Sequence, residues 1–359
     1  MAWGFSWLVL VFILLTAWLL VRRQRAQPSE AEQRTQFSLP VTSAAQQQVL
    51  DTIENLRVSA DDVQGVKRLA VLRQAMDSLS DELILDSKIR PSETPAPIGE
   101  WVIAPNAKPN RRLLYIHGGF WAAGSPKSHR AITDRLSRLT GACVFALDYR
   151  LMPEHGYQDG ILDCREAYIW LQEQGPEGPS KADFMVIAGD SAGGTHTLGL
   201  IAWLRDQQLP LPTAAIALSP STDLTLRSLR KQPNFYTDVM LGPTIDKLAA
   251  IPFPLLWAGA AFAMRALPSN PLVSPIQGDL SGLPPTLIHV SEAELLAENV
   301  QRYVTKAQAQ GTPVEMRTWP NMVHVWHLFT PLLSEAEAAF QDIGAFLDLI
   351  ENANCYQSR

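Results

Sequence analysis

Gly189-Asp190-Ser191-Ala192-Gly193-Gly194 sets a serine among small residues, between the apolar run 184–188 and a helical stretch. A G-x-S-x-G sequence in that context is what a nucleophile elbow requires, because a tight strand-to-helix turn strains the serine backbone and leaves no room for side chains on either flank. The bland alternative is a glycine-rich turn with Ser191 as a helix cap. A second such turn, His117-Gly118-Gly119-Phe120-Trp121, follows the apolar run 113–117. Consecutive glycines let backbone amides come close to a substrate, and such amides suit an oxyanion hole. Together the two turns point to acyl transfer more specifically than either does alone.

A serine nucleophile needs a base, and the chain has seven histidines. His117 belongs to the glycine turn, and His129, His155, His196 and His289 read better as surface or satisfied core residues. His324, after a four-residue loop beyond the run 314–319, stands where a base would reach Ser191, whereas His327 one helical turn on reads as structural. The acid that orients the imidazole belongs after the preceding strand, in the order Ser, Asp or Glu, His. There the chain offers Glu292, Glu294 and Glu298 and no aspartate. Order alone does not separate Glu292 from Glu294.

The elements that must hold these residues follow from hydrophobic periodicity. Strands are expected at 113–117, 143–148, 184–188, 215–219, 286–290 and 314–319, with helical stretches near 128–139, 159–174, 192–206, 295–310 and 335–350. That alternation means a mostly parallel sheet with helices on both faces, whose ligand crevice lies at the carboxyl ends of the strands. Residues 221–284 are too long for one crossover and rich in proline, so they read as an insertion roofing the site. Residues 49–58 and 63–85 carry helical periodicity, and the prolines of 91–97 close that segment.

Upstream, Met1 to Val21 contains no charged side chain and ends at Arg22-Arg23-Gln24-Arg25. The run is long enough to cross a bilayer, lacks a small-residue cleavage site, and has tryptophans near both ends. An uncleaved single-pass transmembrane helix is expected, its basic flank placing the body in the cytoplasm. Residues 26–48, rich in Gln, Ser, Ala and Glu, read as a solvated tether. A net charge of -6 without a long basic run argues against nucleic acid. Three cysteines without metal-ligand spacing, and no N-glycosylation sequon, favour a reducing compartment and offer no metal site.

From about residue 98 to 350 the chain resembles the hormone-sensitive-lipase family of α/β-hydrolases, the bacterial family IV of small carboxylesterases. Leu114-Tyr115-Ile116-His117-Gly118-Gly119 is similar to its His-Gly-Gly-Gly signature, and Asp148-Tyr149-Arg150-Leu151-Met152-Pro153-Glu154-His155 to its next strand end. Gly189 to Gly194 matches its elbow, Leu218 to Thr225 the following strand end, Leu283-Pro284-Pro285-Thr286 the approach to the acid, and Asn321 to Phe329 the histidine loop. The resemblance implies Ser191 as nucleophile, His324 as base, the amides of Gly118, Gly119 and Ala192 as oxyanion donors, and Phe120 and Trp121 at the substrate pocket. It also selects Glu294, because Glu294-x-Leu296-x-Glu298 falls on the family's Asp-x-Leu-x-Asp segment. Phe120 in place of a third glycine, and glutamate in place of aspartate, are its two departures. The organisation expected is an anchor with its basic flank at 1–25, a tether at 26–48, a helical cap segment at 49–97, and an α/β-hydrolase domain at 98–359 with a cap insertion at about 221–275. The activity implied is hydrolysis of short to medium acyl or lipid-like esters without a cofactor or metal. A non-catalytic small-molecule receptor on the same fold, and an amidase or acyltransferase, are the alternatives.

Overall fold

In the strand Lys108–Ile116, Leu113 and Tyr115 belong to one buried apolar cluster while Leu114 and Ile116 belong to another. A period of two with both faces apolar requires a sheet covered on both sides. The computed structural model describes residues 37–61, 65–93, 96–225 and 234–357, and shows that sheet with eight strands. They are β1 (Lys88–Pro91), β2 (Gly99–Ile103), β3 (Lys108–Ile116), β4 (Ala142–Leu147), β5 (Phe184–Asp190), β6 (Ala214–Leu218), β7 (Thr286–Ser291) and β8 (Val314–Trp319). Their spatial order is β1-β2-β4-β3-β5-β6-β7-β8, antiparallel from β1 to β4 through β2 and parallel in every other pairing.

The nine helices of the described residues are α1 (Ala44–Asp61), α2 (Val66–Ser78), α3 (Arg130–Thr140), α4 (Tyr157–Glu173), α5 (Ser191–Asp206), α6 (Gly242–Ala249), α7 (Phe253–Met264), α8 (Ala297–Ala309) and α9 (Ser334–Gln357). Tyr168 and Leu171 of α4, Leu198 to Leu204 of α5 and Tyr303 of α8 fill the cluster on one face. Ile132 and Leu136 of α3, with Phe340 to Leu347 of α9, fill the other. The six expected strands and five expected helices of the main domain are all present, their bounds within two residues except that β3 begins five residues earlier and α9 runs seven residues further than expected.

Two stretches upstream of the main domain depart from the sequence expectation. β1 lies inside the stretch 49–97 expected as a helical cap segment, because its four residues are too short to show a period and it pairs with β2 at the sheet edge. Residues 37–48 are not a free tether. Leu39 is buried with Val49 against Met322, Val323 and Trp326, Gln46 is buried, and α1 begins at Ala44. Isolated apolar residues in a polar stretch carry no periodicity, so their burial shows only once the surface they meet is built. The expected membrane helix and its basic flank lie outside the described residues. Among the described residues no single helix is long and apolar enough to cross a membrane; α6 and α7 reach that length and composition only together, and they are bent by 114°.

Candidate active site

Ser191 begins α5 where β5 ends, with φ at +49°, in the left-handed region. A non-glycine residue there is strained, and the surrounding packing must hold it. The packing is tight enough: a side chain at Gly193 would run into the Ile116 carbonyl, and one at Gly189 would lie 2.6 Å from the Gly193 carbonyl oxygen. These two glycines let β3, β5 and the first turn of α5 meet, and the meeting lifts Ser191 out of the sheet end.

The Ser191 hydroxyl lies 2.9 Å from His324 Nε2, and His324 Nδ1 lies 2.6 Å from Glu294 Oε2. His324 and Glu294 are both buried. Glu294 is fixed in turn, its Oε1 accepting from the Ser291 amide at 2.8 Å and from the Ser219 hydroxyl at 2.7 Å. With a carboxylate facing Nδ1, the tautomer that fits is Nδ1–H donating to Glu294 and Nε2 accepting from Ser191. Burial opposes a charge on His324, but Glu294, Asp238 and Asp190 outweigh it and hold the imidazole above its ordinary pKa. Glu292, the rival acid, instead accepts from the Thr318 hydroxyl at an exposed site.

His327 is fully buried and does not touch Ser191. Its Nε2 lies 3.1 Å from His289 Nδ1, and His289 Nε2 lies 3.0 Å from Asp342. Burial and the neighbouring imidazoles of His289 and His324 push its pKa well below the ordinary value, so the ring is neutral and structural.

The glycine turn behaves differently from expectation at one position. The Gly118 amide donates to Asp190 Oδ1 at 3.0 Å, so it is not free for a substrate. Asp190 also accepts from the Tyr115 hydroxyl at 2.6 Å and faces His129 Nε2 at 3.3 Å. The carboxylate beside Ser191 thereby holds the turn, and among the described residues the amides of Gly119 and Phe120 donate to nothing. His117, stacked on Tyr149 at 4.4 Å, is buried and its pKa is lowered to about 3. Trp121 packs with Tyr157, Ala192 and Val273, while Phe120 stands half exposed at the mouth.

Several contributors escaped sequence reasoning. Ser219, directly after β6, bonds both Glu294 and the Val325 amide and so ties the acid to the histidine loop. Its place at a parallel strand end was the available signal. Asp238, in the proline-rich insertion, accepts from the amides of Met240, Leu241 and Leu295, and Asn234 and Thr237 donate to the carbonyls of Glu292, Ala293 and Glu294. The insertion therefore clasps the acid loop. Gln46 donates to the Asn321 carbonyl and holds the histidine loop from the other side. Neither Asp238 nor Gln46 lies in any local pattern.

Residues 113–328 match the alpha/beta hydrolase fold family. The chain is 39% identical over 249 residues to an acetyl-hydrolase of Streptomyces hygroscopicus, covering 69% of this chain and 78% of that protein. It is 37% identical over 242 residues to the carboxylesterase/phospholipase LipF of Mycobacterium tuberculosis, covering 66% of this chain and 61% of that longer protein. Among solved structures, the esterase EstE5 superposes with a TM-score of 0.70 at 32% identity, over 86% of this chain and 99% of that one. An esterase from the bacterial hormone-sensitive lipase family superposes with a TM-score of 0.71 at 29% identity, over 86% and 98%. The chain belongs to the α/β-hydrolase-fold family, in its hormone-sensitive-lipase-like branch of carboxylesterase-type hydrolases.

Proposed function

We propose that the protein is a serine carboxylesterase that works through an acyl-enzyme on Ser191. The observation that carries this reading is the continuous chain Glu294–His324–Ser191, at 2.6 and 2.9 Å. His324 Nε2 takes the Ser191 proton as Oγ attacks the ester carbonyl, and the same proton then passes to the leaving alcohol. Glu294 holds the imidazole tautomer and balances the charge that develops on it. The tetrahedral oxyanion is met by the amides of Gly119 and Ala192, joined by the unspent amide of Phe120, while Gly118 supports the turn through Asp190. Water activated by His324 then releases the acid. Every residue this route needs belongs to the chain. A receptor built on this fold has no use for a strained serine with base and acid in register.

Phe120 and Trp121 are proposed to meet the acyl group, Trp121 from within the apolar cluster beside Ala192. The run from Met1 to Val21 with its Arg22-Arg23-Gln24-Arg25 flank is proposed as a single-pass anchor, with the domain on the cytoplasmic side. Extraction of the full chain from membranes at alkaline pH tests the anchor, since release into the supernatant contradicts it. A fluorophosphonate probe tests the catalytic reading: wild type should be labelled at Ser191, and labelling that persists in Ser191→Ala refutes it.

A further inference from the structure

The described stretch most at odds with water lies on the cap. From Leu248 to Met264 the chain has seventeen consecutive residues without a charged, hydroxyl or amide side chain, set between Lys247 and Arg265. None of the seventeen is buried, and in α7 Phe253 is 45% and Phe262 87% exposed. A helix apolar on every side belongs in a protein core or in hydrocarbon. Here it stands in neither.

Two further observations say what surrounds it. At its C-terminal end α7 is joined to the site: Met264 and Ala266 pack on the cluster of Trp121, Tyr157, Ala192 and Val273, and Ala192 adjoins Ser191. At the start of the preceding helix, Phe37 packs on Phe235 and Tyr236 and closes against Gly242, where α6 begins. Residues 26–36, eleven in all, separate Phe37 from the basic run ending at Arg25, and a chain of that length spans at most ~40 Å. The uncharged N-terminal run, ending at Val21, is therefore tethered to the root of the α6–α7 pair through fifteen residues, a span of at most ~54 Å. The protein itself partly covers Leu255, Leu256, Trp257, Ala260 and Ala261, and it leaves exposed Phe253 and Phe262, which at nine residues apart point to opposite flanks of the helix; a single partner surface meets one flank, whereas acyl chains reach both.

We propose that α7 docks into a phospholipid bilayer, with Phe253 and Phe262 among the acyl chains, and that its Met264–Ala266 end leads lipid-borne esters to Ser191. The last clause rests on the esterase reading; the docking does not. The test uses the full chain reconstituted into phosphatidylcholine–phosphatidylglycerol vesicles. With Phe262→Cys in a Cys355→Ser background, an environment-sensitive fluorophore attached at that position should emit at shorter wavelength and be quenched by lipids brominated on the acyl chain. Cys143 and Cys164 are buried and do not compete for the label. Water-like emission that resists quenching overturns the proposal.

In a second arm, Phe262→Asp should lower turnover of an ester carried in the vesicles at least tenfold while leaving kcat/KM on a dissolved acetate ester within twofold. An equal loss on both substrates makes α7 a structural part of the cap and overturns the proposal. So does a dimer, seen by sedimentation of the wild type, that Phe262→Asp converts to monomers. Failure of the esterase reading registers separately, as turnover retained in Ser191→Ala, with the fluorescence result unaffected.

Discussion

At the scale of single residues, the pairing of Glu294 with His324 makes the acid the most informative position to change. Glu294→Gln keeps the packing but places an amide where the charge balances imidazolium, so kcat should fall by roughly 10²–10⁴. Glu294→Asp keeps the charge and shortens the reach, and an intermediate rate is expected. Glu292→Gln should stay near wild type, since that side chain accepts from the Thr318 hydroxyl at an exposed site away from His324. Steady-state kinetics on one soluble ester decide all three, and a severe Glu292→Gln variant would move the acid two residues earlier. The raised pKa of His324 sets the pH dependence. As the proposed base, His324 would work only when neutral, so kcat/KM should fall as pH drops through a value above the ordinary histidine pKa of about 6.5. His327→Ala should separate from His324→Ala: it breaks a buried imidazole chain and lowers Tm, with a much smaller effect on the chemical step.

At the scale of elements, the loops that carry Glu294 and His324 are held by segments remote in sequence. Asp238 carries the clasp between the insertion and the acid loop, and its charge also raises the His324 pKa. Asp238→Asn should weaken both effects, lowering kcat about tenfold, equivalent to ~1.4 kcal/mol on the barrier. Removing a negative charge favours neutral imidazole, so the acid limb of the pH–rate profile should move to lower pH. A profile that does not shift would reduce Asp238 to a purely structural part. The N-terminal segment acts from the other side through Leu39, Gln46 and Val49. A chain starting near residue 30 should stay folded and active on soluble esters, whereas one starting at residue 50 should lose Tm and activity together, as thermal melts and kinetics would report. The second half of that expectation follows only from the packing of residues 37–49 on the histidine loop.

At the scale of the whole molecule, stability rests on a sheet buried from both faces and on polar groups that the burial forces into partnership. Arg112 is the extreme case: it is fully buried in β3, and its guanidinium bonds the carbonyls of Pro109, Leu171 and Ser180 and the Ser180 hydroxyl. Burial lowers its pKa. Arg112→Ala would orphan these acceptors and open a cavity, and a loss of about 3–5 kcal/mol in chemical denaturation is expected; a change below ~1 kcal/mol would contradict that account. The parallel strands, the covering helices, the elbow and the histidine loop were legible because each rests on local rules: period-two and 3.6-residue patterns, glycines where backbones converge, and a strand end before each chemical group. The choice of Glu294 over Glu292 needed a family register, since both precede the same helix. What no local rule encodes is contact between distant segments. The sequence by itself determined the sheet, the serine turn and the chain order of Ser191, Glu294 and His324 at successive strand ends, because those depend on periodicity and on neighbours a few residues apart. Only the tertiary structure decided that Asp190 spends the Gly118 amide, that Ser219 and Asp238 hold the acid, that residues 37–48 pack on the histidine loop and that α7 is left uncovered. These depend on which surfaces meet when the chain closes, and a lone Asp, Gln or Leu carries no mark of the partner it will find.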